Sequence, residues 1–414
     1  MAAVLGVMLW SFVHTPAQAA STRDQQWHLT AMKAEEMWRT SKGIGVTVAV
    51  IGSGVAAANP DLRGRVLDGL DLADGVSGDE HSDYDGSGTG AAGLIAATGA
   101  YGGGQGAFGL APGAKILPVR LPDPRKANMQ GDVDAQMLKV APKGIRYAAD
   151  HGAKVIDVDQ WAYKGSDQLT DAVDYALKKG ALVFAPVGND GSLGNELTYP
   201  AATPGVVGVG AVDKDGHVTG ESAHGDQVDV VAPGKDMVHA CGGKSGLCKT
   251  HGTQDASALA AAGAALIWAK HKDWTNDQVL QVVLNTISGP SNGVERSEWI
   301  GYGAVRPRIA LKNPGNPGPA DTYPLGDYPV AEVTHFPSPA TPQTESGGPA
   351  AADGSTRDSG QVLLWAGVGV AGVLAGAGIA IPAVRSRKRR CPTPLLPPYA
   401  PHPHARADGD GRRP

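Results

Sequence analysis

Short apolar runs rich in valine and isoleucine alternate with segments of helical periodicity along most of the chain. Five of these runs predict β-strands, at residues 46–51, 114–120, 153–159, 181–187 and 206–212. Each run is apolar over nearly its whole length, which is typical of strands that are covered on both faces. Strands of this kind, separated by helices, predict an α/β fold with a mostly parallel sheet.

Four segments have the pattern of helices. Residues 31–41 predict a short amphipathic helix, residues 141–152 a second helix, and residues 166–180 a third that begins at a Ser166 cap and ends at Gly180. Residues 256–270 are so rich in alanine and so poor in charge that we expect a helix buried on most of its faces.

The two ends of the chain have the patterns of membrane targeting. Residues 1–19 have an apolar run followed by the small-residue pattern Ala17, Gln18, Ala19, which predicts a signal peptide cleaved after Ala19. Residues 362–384 carry no charge and are long enough to span a bilayer. The basic run at residues 385–390 follows at once, so we expect the tail, residues 385–414, on the cytoplasmic side.

The segment between the predicted globular part and the predicted membrane helix is dense in proline, glycine, serine and threonine. We therefore expect a signal peptide (1–19), a globular domain (20–312), an extended linker (313–361), one transmembrane helix (362–384) and a basic tail (385–414). This organisation predicts a single-pass protein of the cell membrane whose globular domain is extracellular.

Charge and cysteine content narrow the chemistry. The net charge of -5 argues against nucleic-acid binding, because the main basic cluster lies at the far C-terminus. Cys241 and Cys248 flank a short glycine-containing loop on the oxidising side of the membrane, and we expect a local disulfide between them. Cys391 falls in the reducing compartment, where a free thiol is expected. The sequence predicts no metal site and no cofactor.

An ordered series of motifs resembles the subtilisin-like serine peptidases. The segments are GVTVAVIGSGVAAANPDLRGRV, DYDGSGTGAAGLIAATG, HGAKVIDVDQW, VFAPVGNDG, YPAATPGVVGVGAV, VDVVAPG and HGTQDASALAAAGAALI, which appear in the family's order between residues 24 and 312. With the predicted signal, linker, anchor and basic tail, the chain most resembles the mycosins, the membrane-anchored subtilases of type VII secretion. The resemblance implies the subtilisin-like three-layer fold.

The same resemblance assigns positions to a catalytic triad, and this chain departs from the family at all three. Gly52 stands where the family has the aspartate, Ser87 where it has the histidine, and Gln254 where it has the serine. Peptide hydrolysis by this route needs a hydroxyl, a base and a carboxylate, and none stands at its own position here. The sequence thus predicts a protein with the fold and without the usual catalytic groups.

The resemblance also assigns the substrate groove and the oxyanion position. Asp159, Gln160 and Trp161 stand where the family has a pattern like Ser-Leu-Gly, and Trp161 would place a large ring where glycine lets the substrate approach. Asn189 stands at the oxyanion position, where its presence fits a remnant of carbonyl binding or a structural turn residue.

Two further groups of residues have candidate chemistry. His81, His251 and Ser257 lie near the triad positions in sequence and could supply parts of a displaced triad. The acidic residues 79–86 could suggest a calcium loop, although they lack the spacing of a helix-loop-helix site, and we favour a solvated loop.

Two main hypotheses of function follow from the sequence. The first is a catalytically inactive, membrane-anchored subtilase that has a scaffolding or peptide-binding role in type VII secretion, with membrane components or extended peptides as partners. The alternative is an active serine-type endopeptidase with a displaced or atypical triad.

Overall fold

The computed structural model describes residues 21–242, 246–291 and 293–326. The predicted signal peptide, transmembrane helix, basic tail and Cys391 lie outside the described residues, as does the predicted linker from residue 327 onward. Within the described ranges no helix is both long enough and apolar enough to cross a bilayer.

Ten strands are present in the described part of the chain. They are β1 (Thr47–Gly52), β2 (Leu70–Asp71), β3 (Lys115–Arg120), β4 (Val155–Val158), β5 (Leu182–Pro186), β6 (Val206–Val212), β7 (Val230–Pro233), β8 (Met237–Ala240), β9 (Leu247–Thr250) and β10 (Gly303–Ala304). Eight of the described strands form one parallel sheet in the order β10-β7-β6-β5-β4-β1-β3-β2, and β8 and β9 pair as an antiparallel hairpin.

Nine α-helices are present in the same described part. They are α1 (Thr22–Gln25), α2 (Trp27–Ala31), α3 (Ala34–Trp38), α4 (Ser87–Ala96), α5 (Gln130–Asp150), α6 (Asp167–Lys178), α7 (Thr253–Lys270), α8 (Asn276–Asn285) and α9 (Pro307–Lys312).

The sheet has a hydrophobic core on each face. Alternate residues of β1 point to opposite sides: Val48 and Val50 belong to the core that contains α4 and α7, while Ala49 and Ile51 belong to the core that contains α5 and α6. The central strands are buried along nearly their whole length because both faces are covered. The prediction of a mostly parallel α/β sheet is therefore confirmed.

One predicted helix start agrees with the structure, and another differs from it. The Ser166 side chain does accept a hydrogen bond from the Leu169 amide at the start of α6. The helix predicted at residues 141–152 begins eleven residues earlier, at Gln130. Its first half carries polar residues on an exposed face, which weakened the apolar period used to find it.

Helix α7 lies in the middle of the α4 side of the sheet. Every residue from Ala256 to Trp268 is buried, so the helix is enclosed on all faces along that stretch. Alanines along α7 let it pack closely against β4, β5, β6 and β7 at once, because a small side chain allows two backbones to approach. The expectation of a helix buried on most of its faces is confirmed. Because the helix is enclosed, its first turn, which contains Gln254, is held in place relative to the sheet.

Residues 313–326 pack on the domain, although the sequence assigned them to the extended linker. The Tyr323 hydroxyl donates to the Gly205 carbonyl at 2.6 Å, and the Gln278 amide donates to the Gly318 carbonyl at 3.1 Å. Leu325 is buried in the core that contains α7. The proline and glycine content correctly indicated a segment without regular secondary structure. Composition contains no information about the few side-chain contacts that hold this segment against the domain.

The β8–β9 hairpin carries a disulfide bond. Cys241 and Cys248 are joined, with their Cα atoms 5.8 Å apart. Asn59 donates from its amide to the Cys241 carbonyl at 2.6 Å, which connects the turn end of the hairpin to the loop after β1.

The enclosure of α7 predicts that it tolerates no added volume. We expect Ala262→Leu to lower the free energy of unfolding by about 1 to 3 kcal/mol, because overpacking a filled core forces backbone or rotamer shifts. Ala269→Leu adds the same atoms to the same helix at a half-buried position and is the matched control. Urea unfolding of both variants measures the difference, and equal losses would contradict the described packing of α7.

Candidate active site

The triad-equivalent positions all lie at the carboxyl-end edge of the parallel sheet. Gly52 is the last residue of β1, Ser87 is the first residue of α4, and Gln254 is in the first turn of α7. Asn189 follows β5 in the neighbouring loop. Ligand sites of open α/β sheets gather at this edge, because the loops after parallel strands converge there.

Gln254 is bound to the residue that the resemblance assigns to the oxyanion position. The Asn189 side-chain Nδ2 donates to the Gln254 Oε1 at 2.7 Å. The Asn189 Oδ1 accepts from the Thr253 amide at 2.8 Å and from the Thr253 hydroxyl at 2.9 Å. Both the nitrogen and the oxygen of the Asn189 side-chain amide therefore have hydrogen-bond partners, and the nitrogen donates to a carbonyl oxygen of the chain itself.

Gly252 makes this close approach possible. A Cβ atom at residue 252 would lie 2.9 Å from Asn189 Nδ2 and 2.9 Å from Gln254 Oε1, closer than carbon can approach either atom. The residue also has a φ of +136°, which side chains other than glycine rarely permit. The turn before α7 thus has the shape needed to bring the two amides together.

Ser87 has hydroxyl partners and no imidazole. Its Oγ donates to Asp85 Oδ1 at 2.9 Å and lies 3.0 Å from the Ser53 Oγ. The Ser53 Oγ in turn accepts from the Gly88 amide at 2.8 Å. These contacts stabilise the start of α4, and they include no imidazole.

Asp159 occupies the space beside Gly52. A Cβ atom at residue 52 would lie 3.2 Å from the Asp159 Cβ and 3.5 Å from its Oδ2. The site therefore holds a carboxyl close to the position where the family has one, and it comes from the end of β4 instead of the end of β1. The glycine at the end of β1 leaves the room that this side chain fills.

The Asp159 carboxyl is buried, and both of its oxygens are without a hydrogen-bond partner. Burial raises its pKa well above the usual value for aspartate, and the nearby carboxyls of Asp157, Asp255 and Asp85 raise the pKa further. The Ser87 side chain acts weakly in the opposite direction. The ionised form of this carboxyl is thus less favoured than that of an exposed aspartate.

Asp157 is a second buried carboxyl on the same face of β4. Ser257 donates from its Oγ to Asp157 Oδ1 at 2.5 Å, and both side chains are fully buried. Burial raises the pKa of Asp157 to about 7, against the smaller opposite effect of the Ser257 hydrogen bond. Ser257 is therefore tied to the sheet below α7.

The structure does not bring the residues of the displaced triad together. Ser257 is engaged with Asp157, His251 is exposed and lies 2.7 Å from Glu221 Oε2 through its Nδ1, and His81 contacts the Leu67 carbonyl through its Nε2 at 3.1 Å. Each of the three has a separate partner, and none of these partners is another member of the set.

The groove residues wall a cavity of about 410 Å³ next to the triad-equivalent positions. Gln160 donates from its amide to the Tyr84 hydroxyl, which itself donates to the Pro122 carbonyl at 3.1 Å. Trp161 lines the cavity without closing it. Ala162 pairs with Tyr199 through two backbone hydrogen bonds, 2.9 and 2.8 Å long. A cavity therefore remains beside the Trp161 ring.

The acidic residues 79–86 hold the loop before α4. Asp83 accepts from the Gly86 amide at 2.8 Å and, through its other oxygen, from the Thr89 amide at 2.8 Å. Asp79 accepts from the His81 amide at 3.1 Å. Among the described residues, three metal-ligating side chains come together only at Asp213, Asp215 and His217, a largely exposed group away from this loop.

A buried hydrogen-bond chain behind Gln254 had no signal in the sequence. Thr250 donates from its Oγ1 to Asp255 Oδ2 at 2.6 Å and lies 2.6 Å from His239 Nε2, while His239 Nδ1 lies 2.9 Å from the Ala240 carbonyl. This chain ties the β8–β9 hairpin to the first turn of α7. The partners come from separate segments that no motif connects.

Comparison with known proteins was made by sequence and by structure. A sequence model of the subtilase family matches residues 43–303. Thermitase of Thermoactinomyces vulgaris is 30% identical over 283 residues, which is 68% of this chain and 96% of thermitase.

Two similar solved structures belong to secretion systems. The MycP3 protease from the type VII (ESX-3) secretion system superposes with a TM-score of 0.61 at 29% identity, covering 72% of this chain and 90% of that chain. A chain in the intact ESX-5 inner membrane complex superposes with a TM-score of 0.60 at 25% identity, covering 79% of this chain and 84% of its own length.

The buried Asp157 makes stability depend on pH. The pKa of Asp157 is about 7 in the folded protein and near 3.8 in the unfolded chain. Below pH 4 the carboxyl is protonated in both states and costs no stability. As the pH rises to 7, the unfolded chain loses this proton more readily than the folded protein does, and the free energy of unfolding falls. We expect Asp157→Asn to keep an acceptor for Ser257 and to remove this loss, raising the free energy of unfolding at pH 8 relative to pH 5 by roughly 2 to 4 kcal/mol.

Denaturant unfolding of the two proteins at pH 5 and pH 8 measures the effect. Asp171→Asn, on the exposed face of α6, controls for the loss of one carboxylate from the surface. An identical dependence of stability on pH in Asp157→Asn and in the unaltered protein would refute a neutral carboxyl at this position.

Proposed function

This chain belongs to the subtilase family, and from that membership we propose that it is a membrane-anchored, mycosin-like protein that binds other polypeptides without cleaving them. Its proposed setting is a type VII secretion complex. The proposed globular domain extends from residue 20 to about residue 326, which is longer than the sequence pattern alone indicated.

One contact carries the proposal that the site does not hydrolyse peptides. Gln254 stands at the nucleophile position and places its carbonyl oxygen against the Asn189 donor at 2.7 Å. An amide nitrogen is not a nucleophile, and a donor already bonded to an amide is not free to stabilise a developing oxyanion. The two requirements for acyl transfer are thus removed by one residue.

The other two positions support the same conclusion. Ser87 is bonded to Asp85 and Ser53, so nothing at its position takes a proton from an attacking group. Asp159 places a carboxyl beside Gly52, but burial and the neighbouring carboxyls raise its pKa and so disfavour the ionised form, which is the form that stabilises an imidazolium.

The proposed partners follow from the relatives. The MycP3 structure is described as a protease of the type VII (ESX-3) system, and the other neighbour is part of an ESX-5 inner membrane complex. This chain has in addition an uncharged segment at residues 362–384 followed by a basic run, the pattern of a single anchor with an external domain. Both observations favour a role in contact with membrane components of such a complex.

The absence of catalysis predicts the response to an active-site probe. We expect a fluorophosphonate to leave every serine of the purified protein unmodified under conditions that label thermitase completely, because no serine in the described part of the chain is hydrogen-bonded to a histidine ring. Intact-protein mass spectrometry measures the modification, and casein turnover gives a second readout. A stoichiometric adduct on Ser257, or casein cleavage abolished by His251→Ala, would favour the displaced-triad alternative.

A variant that carries the family's three catalytic groups tests whether this backbone can hold them in a reactive arrangement. We expect Gly52→Asp, Ser87→His and Gln254→Ser, combined with Asp159→Ser to free the space beside residue 52, to react with the same fluorophosphonate. The matched control carries the other three substitutions and retains Gln254. Failure of the combined variant to react, while it remains folded, would show that the backbone itself has lost the active geometry.

The proposed setting predicts specific neighbours in the cell envelope. Crosslinking of the anchored protein in its native membrane, followed by mass spectrometry, should recover components of a type VII secretion channel. The same experiment on a chain truncated after residue 326 separates contacts made by the domain from those that need the anchor. Recovery of no envelope protein by the full-length chain would count against a scaffolding role.

A further inference from the structure

The cavity beside the triad-equivalent positions combines apolar walls with a polar end. Its volume is about 410 Å³. The apolar part is lined by Pro122, Val133, Met137, Val140, Trp161 and Tyr163. Asp159, Ser87 and Gln254 line it as well, so the cavity reaches two of the triad-equivalent positions.

Asp159 is the buried residue in this cavity whose side-chain oxygens lack a hydrogen-bond partner. The residue is only 3% exposed, and neither carboxyl oxygen has a hydrogen-bond partner within the described protein. A buried polar group without a partner costs roughly 1 to 3 kcal/mol, and more if it is charged. A ligand that reached this carboxyl with a donor would therefore gain more than the same donor gains at a satisfied group.

The charges around the cavity favour a cation. Asp159 is influenced by three other carboxyls, those of Asp157, Asp255 and Asp85. Arg125 also lines the cavity, but its guanidinium is bonded to Asp123 through two nitrogens at 2.8 Å each and to the Tyr84 carbonyl at 3.0 Å. The arginine is thus neutralised by its own neighbour, and the carboxyl end of the cavity is left without a positive charge.

We propose that this cavity binds the lysine or arginine side chain of an extended polypeptide, with the cationic end at Asp159 and the aliphatic stem along the apolar walls. The inference rests on the proposed function, since the bound chain must pass Gln254 uncut. It adds to that function a chemical rule for the partner: a basic residue placed at the former active site.

Side-chain chemistry favours this occupant over a metal ion. Carboxylates of Asp159 and Asp85 are the only acids that line the cavity, and no grouping of three metal-ligating side chains is found there among the described residues. A lysine or arginine stem buries three or four methylenes against apolar walls while its charged end meets an acceptor. The Trp161 ring adds a face on which a cation is attracted.

Binding of a cation at Asp159 should release a proton. Burial and neighbouring acids raise the pKa of this carboxyl and so favour its protonated form. A positive charge placed against it favours the ionised form, so the proton leaves as the ligand enters. This linkage separates recognition by Asp159 from simple apolar binding in the same cavity.

The test uses the full chain in detergent and two fluorescein-labelled, capped tripeptides, Ala-Lys-Ala and its norleucine analogue, which keeps the stem and lacks the charge. Fluorescence anisotropy at pH 6 should give a Kd for the lysine peptide lower by about tenfold or more, the ratio expected for a charge-assisted hydrogen bond. Asp159→Asn should abolish the preference, while Asp171→Asn on the surface of α6 should retain it. Equal affinities for the two peptides would overturn the proposal.

Titration calorimetry of the unaltered protein gives a readout that does not depend on any variant. In two buffers of different ionisation enthalpy, lysine-peptide binding should release more protons than norleucine-peptide binding, and calorimetric Kd values that are equal for the two peptides would overturn the proposal. Mass spectrometry of the peptide after incubation tests the proposed function separately. A cleaved peptide would refute the non-hydrolytic role and leave recognition of the basic side chain standing.

Discussion

The hydrogen bond between the Asn189 amide and the Gln254 carbonyl is the contact on which the interpretation of this site depends. It joins the loop after β5 to the first turn of α7 at the carboxyl-end edge of the sheet. In this chain the two segments are close enough for the side-chain amides of Asn189 and Gln254 to form a hydrogen bond. The Asn189 donor, which the family resemblance assigns to the oxyanion position, is bonded here to a carbonyl oxygen of the chain itself.

The exchange at the ends of β1 and β4 shows how the surrounding core accommodates the change. Gly52 leaves a space, and the Asp159 side chain fills it from the neighbouring strand. The carboxyl then lies among other buried acids without a basic partner, which is a cost to stability. Buried ionisable groups that are not paired are often retained at sites of binding, and this is the physical basis for considering a cationic ligand here.

The fold could be predicted from the sequence, and the site only in part. The central strands were visible because Val-rich runs such as the one ending at Val212 are covered on both faces, and α7 was visible because its alanines leave no polar face. The very short strands β2 and β10 have no period to detect. Motif order named Gly52, Ser87 and Gln254, yet it could not show that Gln254 turns toward Asn189 or that Asp159 turns toward Gly52. Those contacts depend on rotamers and on the register between strands, which a linear pattern does not contain.

The space occupied by Asp159 also constrains how this lineage could change. An aspartate at residue 52 alone would place its Cβ 3.2 Å from that of Asp159 and confront one buried carboxyl with another. A serine at residue 254 alone would face no imidazole at residue 87, where this chain has a serine. Each of these single replacements is unproductive or unfavourable by itself, so building the family's triad on this backbone would need several coordinated replacements.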